Sequence, residues 1–225
     1  MKDNYTHIHF VLDRSGSMES VWNDTIGGFN TFLKTQKEAV GEATFSLIQF
    51  DHEVITDYSF INIQEVKELD RESFVPRGMT AMNDAIGVAI NDCGKALALL
   101  DESERPDKVI FVILTDGGEN ASKTFSRSKI KEMIEHQNLV YSWAFMFLGA
   151  NIDASKVGAT LGVDADFTSG FEASTRGVSN TFGTLGNKLG NMRSSAGPLY
   201  CMGVKSPIAK ASSYTVAERE EMNQK

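Results

Sequence analysis

The chain has 225 residues, 41% of them hydrophobic and 23% charged, with four prolines. A chain of this length can bury most of its apolar surface in one core, and this usage excludes wholesale disorder. The formal charge of −8, with no basic stripe, argues against a duplex nucleic-acid surface, because that affinity comes from phosphate neutralisation by clustered Lys and Arg.

Along the chain, Thr6 to Leu12 is a short apolar-rich run ending in Asp13-Arg14-Ser15-Gly16-Ser17. After it Val21, Trp22, Ile26, Phe29, Phe32 and Leu33 recur at helical spacing, so the pattern reads strand, loop, helix. Ala43 to Phe50 and Val54 to Ile63 read as two strands, and the short polar link Asp51-His52-Glu53 suits a hairpin and hence an antiparallel edge strand. From Thr80 to about Leu100 the apolar positions Ile86, Ile90, Cys93 and Leu97 follow steps of three and four, one buried face of a helix. Arg105-Pro106-Asp107 breaks that helix, and Lys108 to Thr115 is the aliphatic run of a central strand covered on both faces.

The alternation continues with a helix over about Ser126 to Gln137, a strand from Leu139 to Leu148, a short helix over Ala154 to Leu161 and a brief strand at Val163 to Phe167. Phe171, Val178, Phe182, Leu185, Leu189 and Met192 then form a helical stripe, although four glycines from Gly177 to Gly190 each weaken it by up to about 1 kcal/mol relative to Ala. Alternating strands and helices predict an α/β fold, a doubly wound and largely parallel sheet with right-handed crossovers and helices on both faces. The longest apolar stretches, Val109 to Leu114 and Val140 to Leu148, are far shorter than the roughly 20 residues a membrane-spanning helix needs. No membrane partner is expected. The polar start carries Asp3 where a secretory signal would have a basic segment, which points to a cytoplasmic protein.

In a doubly wound sheet the ligand site lies beyond the carboxyl ends of the strands, where strand order reverses. The loops after Leu12, before Thr80 and after Thr115 are therefore the ones to inspect, and all three carry oxygen donors. Asp13, Ser15 and Ser17 sit in a five-residue turn in which Gly16 is expected to take backbone angles closed to other residues. Thr80 is expected to open the long helix, and Asp116 caps the central strand. Aspartate and neutral hydroxyls are hard donors, and a small site that keeps several waters suits magnesium, with manganese as the natural substitute.

Asp13-x-Ser15-x-Ser17 after a first strand, Thr80 within Gly78-Met79-Thr80, and Asp116 within Thr115-Asp116-Gly117 together resemble the metal-ion-dependent adhesion site of von Willebrand factor A domains. The likeness runs from about Tyr5 to Met192, is greatest to compact stand-alone bacterial and phage versions, and divides the chain into a domain over 1–192 and a C-terminal arm over 193–225. The resemblance implies that Asp13, Ser15, Ser17, Thr80 and Asp116 ring a Mg2+ ion, directly or through water. One position would stay open for an acidic side chain of a protein partner, and no catalytic step is implied. Two aspartates roughly neutralise a divalent ion, and moving one of them to the second shell leaves the ion inclined to accept a carboxylate.

Other readings stand beside this one. Phosphoryl-transferring hydrolases of the haloacid dehalogenase type resemble Asp-x-Asp at the same strand end, but Ser15 occupies the place of their second acid and has no comparable acid function. No GxGxxG or GxxxxGK[ST] is present to cradle a nucleotide. A structural or assembly role, with self-association through the glycine-rich helix and the arm, is the main alternative. His7 and His9 share a face of the first strand, and such a pair can bind metal. With no third ligand evident, they read as satisfied surface or core residues. Cys93 reads as a core thiol and Cys201 stays unassigned, neither belonging to a CxxC spacing. Glu119 and Asn120 either contact a partner or cap the helix near Ser126, and capping is the expectation. Arg14 either meets an acidic partner or pairs with an acid of its own chain.

Overall fold

The computed structural model describes residues 1–225. Strand β1 (Lys2–Asp13) leads through a 3-10 turn (Gly16–Val21) into helix α1 (Trp22–Glu38), followed by β2 (Glu42–Phe50) and β3 (Val54–Asn62). Helix α2 (Met82–Ala98) precedes β4 (Pro106–Thr115), and α3 (Arg127–Tyr141), β5 (Ala144–Ala150), α4 (Ala154–Leu161), β6 (Thr168–Phe171) and α5 (Thr175–Ser194) complete the alternation. The six strands lie in the order β3-β2-β1-β4-β5-β6. All neighbours are parallel except β2 and β3, the expected hairpin at the edge.

Side chains alternate across the central strands, as a pleated sheet buried on both faces requires. Ile8, Phe10 and Leu12 of β1 and Ile110, Val112 and Leu114 of β4 join the core built with α1 and α5. Val11 of β1 and Val109, Phe111 and Ile113 of β4 join the second core, under α2, α3 and α4. Helices α1 and α5 approach closely because Gly28 faces the Phe182 ring, and a Cβ there would stand 2.2 Å from the ring. The glycines that weaken α5 as a helix thus sit in an element held by tertiary packing.

Four local expectations are corrected. Leu139, Val140 and Tyr141 are the exposed last turn of α3, and the strand starts at Ala144. Ser142 stops the helix in a left-handed conformation (φ 59°), and Asn138 Nδ2 bonds the Trp143 carbonyl at 3.1 Å. The run from Val163 to Phe167 is not a strand: Asp164 accepts a bond from the Asp166 amide, a 3-10 turn forms over Ala165–Phe167, and the strand follows at Thr168. Thr80 does not open α2, which begins two residues later with Ala81 at its cap. Phe171 ends β6 rather than joining the helical stripe.

Beyond α5 the chain forms a short hairpin, β7 (Tyr200–Cys201) with β8 (Val204–Lys205), then α6 (Pro207–Ala211) and α7 (Val216–Met222). Leu199, Tyr200, Ala209, Tyr214 and Met222 are buried in the first core. The Met222 carbonyl accepts from the Glu172 amide at 2.9 Å, Lys188 pairs with Glu218 at 2.8 Å, and Arg219 donates to the Thr168 and Ala165 carbonyls. No helix is long and apolar enough to cross a membrane.

Candidate metal centre

The sheet order reverses between β1 and β4, so the loops leaving their carboxyl ends diverge and open a crevice. Asp13 is the last residue of β1 and is fully buried. Its Oδ1 accepts from the Ser15 amide at 2.6 Å, and its Oδ2 accepts from Thr115 Oγ1 at 2.5 Å across from β4. Burial outweighs those two bonds and the nearby Ser15 hydroxyl, helped by the neighbouring Asp116 charge, and the Asp13 carboxyl is pushed up to about 6.

Ser15 Oγ lies 3.1 Å from Ser17 Oγ, and Ser17 Oγ donates to Asp116 Oδ1 at 2.6 Å. Burial also raises the Asp116 carboxyl, against the bond from Ser17. A Cβ at Gly117 would lie 3.5 Å from both Ser17 Oγ and Thr80 Oγ1, which puts both hydroxyls beside that one residue. Asp13, Ser15, Thr80 and Asp116 are buried, and Ser17 alone of the five is exposed. The structure therefore gathers all five expected residues around one floor, open to solvent on the Ser17 side.

Backbone contacts set the loops. The Gly16 amide donates to the Gly78 carbonyl at 3.2 Å and the Arg77 amide to the Arg14 carbonyl at 2.8 Å. Gly16 is outside the left-handed region, contrary to expectation, and Gly78 occupies it instead, with φ +67°. A Cβ at Gly78 would stand 2.1 Å from His52 Nδ1, so a side chain there would strain the backbone and have to displace the His52 ring.

Several contributors escaped the sequence reading. Thr115 bridges Asp13 and the Gly117 backbone, its hydroxyl 3.0 Å from the Gly117 carbonyl. Glu119 and Asn120 serve α2 rather than the helix near Ser126. Glu119 Oε2 accepts from the Asn83 amide at 2.7 Å, Asn120 Oδ1 accepts from the Thr80 amide at 2.8 Å, and α3 is capped by Ser126 itself. A run of exposed polar residues gives no hint which helix end it reaches, and only the fold settles that. Arg14 pairs with buried Asp51 of its own chain at 3.1 Å, where Arg77 also binds at 2.8 Å. Burial pushes Asp51 up, but the Glu53 amide and the two guanidinium groups prevail and hold it below the usual carboxylate range.

The donor chemistry fits a hard divalent cation. All five side chains offer oxygen, two of them carboxylates, and Asp116 Oδ2 is buried with no hydrogen-bond partner. An acceptor left so in a polar crevice is free to take a water or a cation.

No protein-family model matches the chain, and no curated protein does. Solved structures do match. Proximal thread matrix protein 1 from the mussel byssus, with a zinc-occupied MIDAS motif, is 13% identical over 83% of this chain and 46% of its own, at a TM-score of 0.58. The von Willebrand factor type A structure from Catenulispora acidiphila is 16% identical over 84% and 43% of the two chains, at 0.53. The vWF domain of the type V pili tip protein Mfa5 from Porphyromonas gingivalis is 11% identical over 82% and 94%, at 0.58. The chain spans less than half the length of the mussel and Catenulispora structures. At these identities the likeness is one of fold: the chain has the von Willebrand factor A-type α/β fold, a mostly parallel six-stranded sheet with one antiparallel edge pair.

Proposed function

We propose that the chain is a non-catalytic, divalent-cation-dependent protein-binding module. Asp13, Ser15, Ser17, Thr80 and Asp116 hold Mg2+, or Mn2+ in its place, and the metal takes an Asp or Glu side chain of a partner at its open position. The domain over 1–192 carries the site, and the segment over 193–225 packs against α5 and the β6 edge.

The observation that carries this reading is the convergence of three loops, far apart in sequence, on one oxygen-only floor with an unpartnered buried carboxylate oxygen, Asp116 Oδ2. A mussel structure of the same fold holds zinc at its MIDAS motif, which supports a metal in this place. Magnesium is favoured here because no histidine or cysteine is among the five donors. Ser15 stands where a phosphoryl-transferring hydrolase of the Asp-x-Asp kind would need its second acid, which weighs against that reading.

The test is calorimetric titration of metal-free protein with magnesium and manganese, beside an Asp13→Ala, Ser15→Ala double variant whose fold is checked by circular dichroism. Stoichiometric binding lost in the variant supports the site and justifies a partner search with and without chelator. Equal binding by both proteins, or by neither, sinks it and advances an assembly role.

A further inference from the structure

A second group of donors lies mid-sheet, beneath α2 and away from the carboxyl edge. His7 and His9 point to the same face of β1, and Cys93 comes down from α2. The three are 0%, 2% and 2% exposed, and one ligating atom from each lies within 4.8 Å of the others. The third ligand that the sequence alone did not show is Cys93.

Neither ring nitrogen of His9 has a hydrogen-bond partner, although the ring is buried and stacked on Phe111 at 4.8 Å. A buried polar group left unpaired costs stability that a phenylalanine in the same place would not. His7 is held differently. Its Nδ1 lies 3.0 Å from Thr44 Oγ1 and its Nε2 3.3 Å from Ser46 Oγ, hydroxyls that are themselves tied to Tyr5 and to the Phe60 amide. To coordinate, His7 gives up one of these two bonds, and the other then orients the ring, as a hydrogen bond to the non-coordinating nitrogen does in metal-bound imidazoles.

We propose that His7, His9 and Cys93 form a buried site for copper(I) between β1 and α2. Thiolate with imidazole is a soft to borderline donor set that selects copper(I) or zinc over magnesium. Charge and coordination number decide between those two. Copper(I) with one thiolate is neutral, whereas zinc would leave a net positive charge in an apolar enclosure with Ile90 and Phe111. Zinc also takes four ligands, and this cluster presents three.

On binding, the Cys93 S–H bond breaks, a metal–sulfur bond forms, the proton leaves to solvent, and no electron changes hands. Burial alone keeps the free thiol protonated, so the metal must displace that proton. Donors at about 2.0 and 2.3 Å from a common trigonal centre sit about 3.5–3.8 Å apart, so no separation has to close by more than about 1.3 Å. Because the site is sealed, the ion enters as the chain folds.

The experiment refolds the reduced full-length chain with equimolar copper(I), with zinc, or without metal, and removes loose metal with a chelating resin. Wild type, Cys93→Ser, His9→Phe and Asp13→Asn are compared, with folding followed by circular dichroism. Folded wild type and Asp13→Asn are expected to retain a single copper ion with sulfur in its X-ray absorption shell, and Cys93→Ser to retain at least tenfold less. The proposal fails if folded wild type retains no copper, if Cys93→Ser retains as much, or if zinc is held through Cys93 in preference to copper(I). Should His9→Phe not fold, the near-isosteric Cys93→Ser decides alone. Asp13→Asn reads the magnesium site separately, so failure of either site leaves the other standing.

Discussion

Strand β1 carries two groups of donor atoms with opposite chemistry. Its carboxyl end supplies Asp13 to a floor of oxygen atoms that opens to solvent at Ser17, and its middle supplies His7 and His9 to a sealed nitrogen and sulfur cluster with Cys93. The strand end is where backbone turns free amides and carbonyls, so Asp13 can be held by the Ser15 amide and still face a crevice. Mid-strand, every backbone group belongs to the sheet, and only side chains from a covering helix can complete a site. Hard, exchangeable ions suit the first setting, and soft ions acquired once suit the second.

The largest expected effect is a crossover between the two. Asp13→Asn should weaken magnesium at least 100-fold by calorimetry and leave copper retention unchanged, while Cys93→Ser should do the reverse. An Asn at 13 fits the same shape, because Thr115 Oγ1, already 3.0 Å from the Gly117 carbonyl, can donate there and accept from the new amide. The variant also removes a fully buried carboxylate beside a second one, Asp116. Metal-free Asp13→Asn should therefore unfold at a higher temperature than metal-free wild type at pH 7, by about 1–3 kcal/mol of stability. Loss of both metals in either variant would mean that the two sites are one mechanical unit, and the comparison would break.

Thr115→Val is the next step down. It deletes the hydroxyl that holds Asp13 Oδ2 and bridges to Gly117, while keeping the β-branched shape of the strand end. Outer-shell partners of metal ligands commonly contribute 10–100-fold to affinity. Magnesium binding should fall about tenfold, with about 1–2 kcal/mol lost from thermal stability. Unchanged affinity would show that Asp13 is positioned by the Ser15 amide alone.

What could be read from the sequence follows the same division. The edge residues lie close along the chain, Asp13 to Ser17, or at element boundaries, Thr80 and Asp116, so a pattern of strands and helices suffices to bring them to one sheet edge. The sealed cluster needs the rotation of α2 over β1, which periodicity puts on a face but not above a particular histidine. The hairpin and α4 were legible because a short polar link and a compact apolar stripe each admit one reading. The stretch over 139–141 was not, since Leu, Val and Tyr suit a strand as well as the exposed end of a helix, and the stop signal is a serine in a left-handed turn. At Val163 to Phe167 an aspartate side chain bent the chain where the apolar residues suggested extension.

Asn120→Ala should have the smallest effect, and its size says how the crevice is stitched. The Asn120 side chain accepts from the Thr80 amide at 2.8 Å, but the Asn120 and Ala121 amides also donate to the Thr80 carbonyl at 3.0 and 3.2 Å. The two backbone bonds survive the substitution, and Asn120 is exposed, so water can replace its oxygen. The expected cost is about 0.5–1 kcal/mol in thermal unfolding, with magnesium affinity changed by less than about threefold. A loss as large as that of Thr115→Val would mean that the Thr80 loop is poised by this one side chain. Thr80 would then be the movable member of the five, and partner binding, rather than metal binding, would show the greater sensitivity to Asn120.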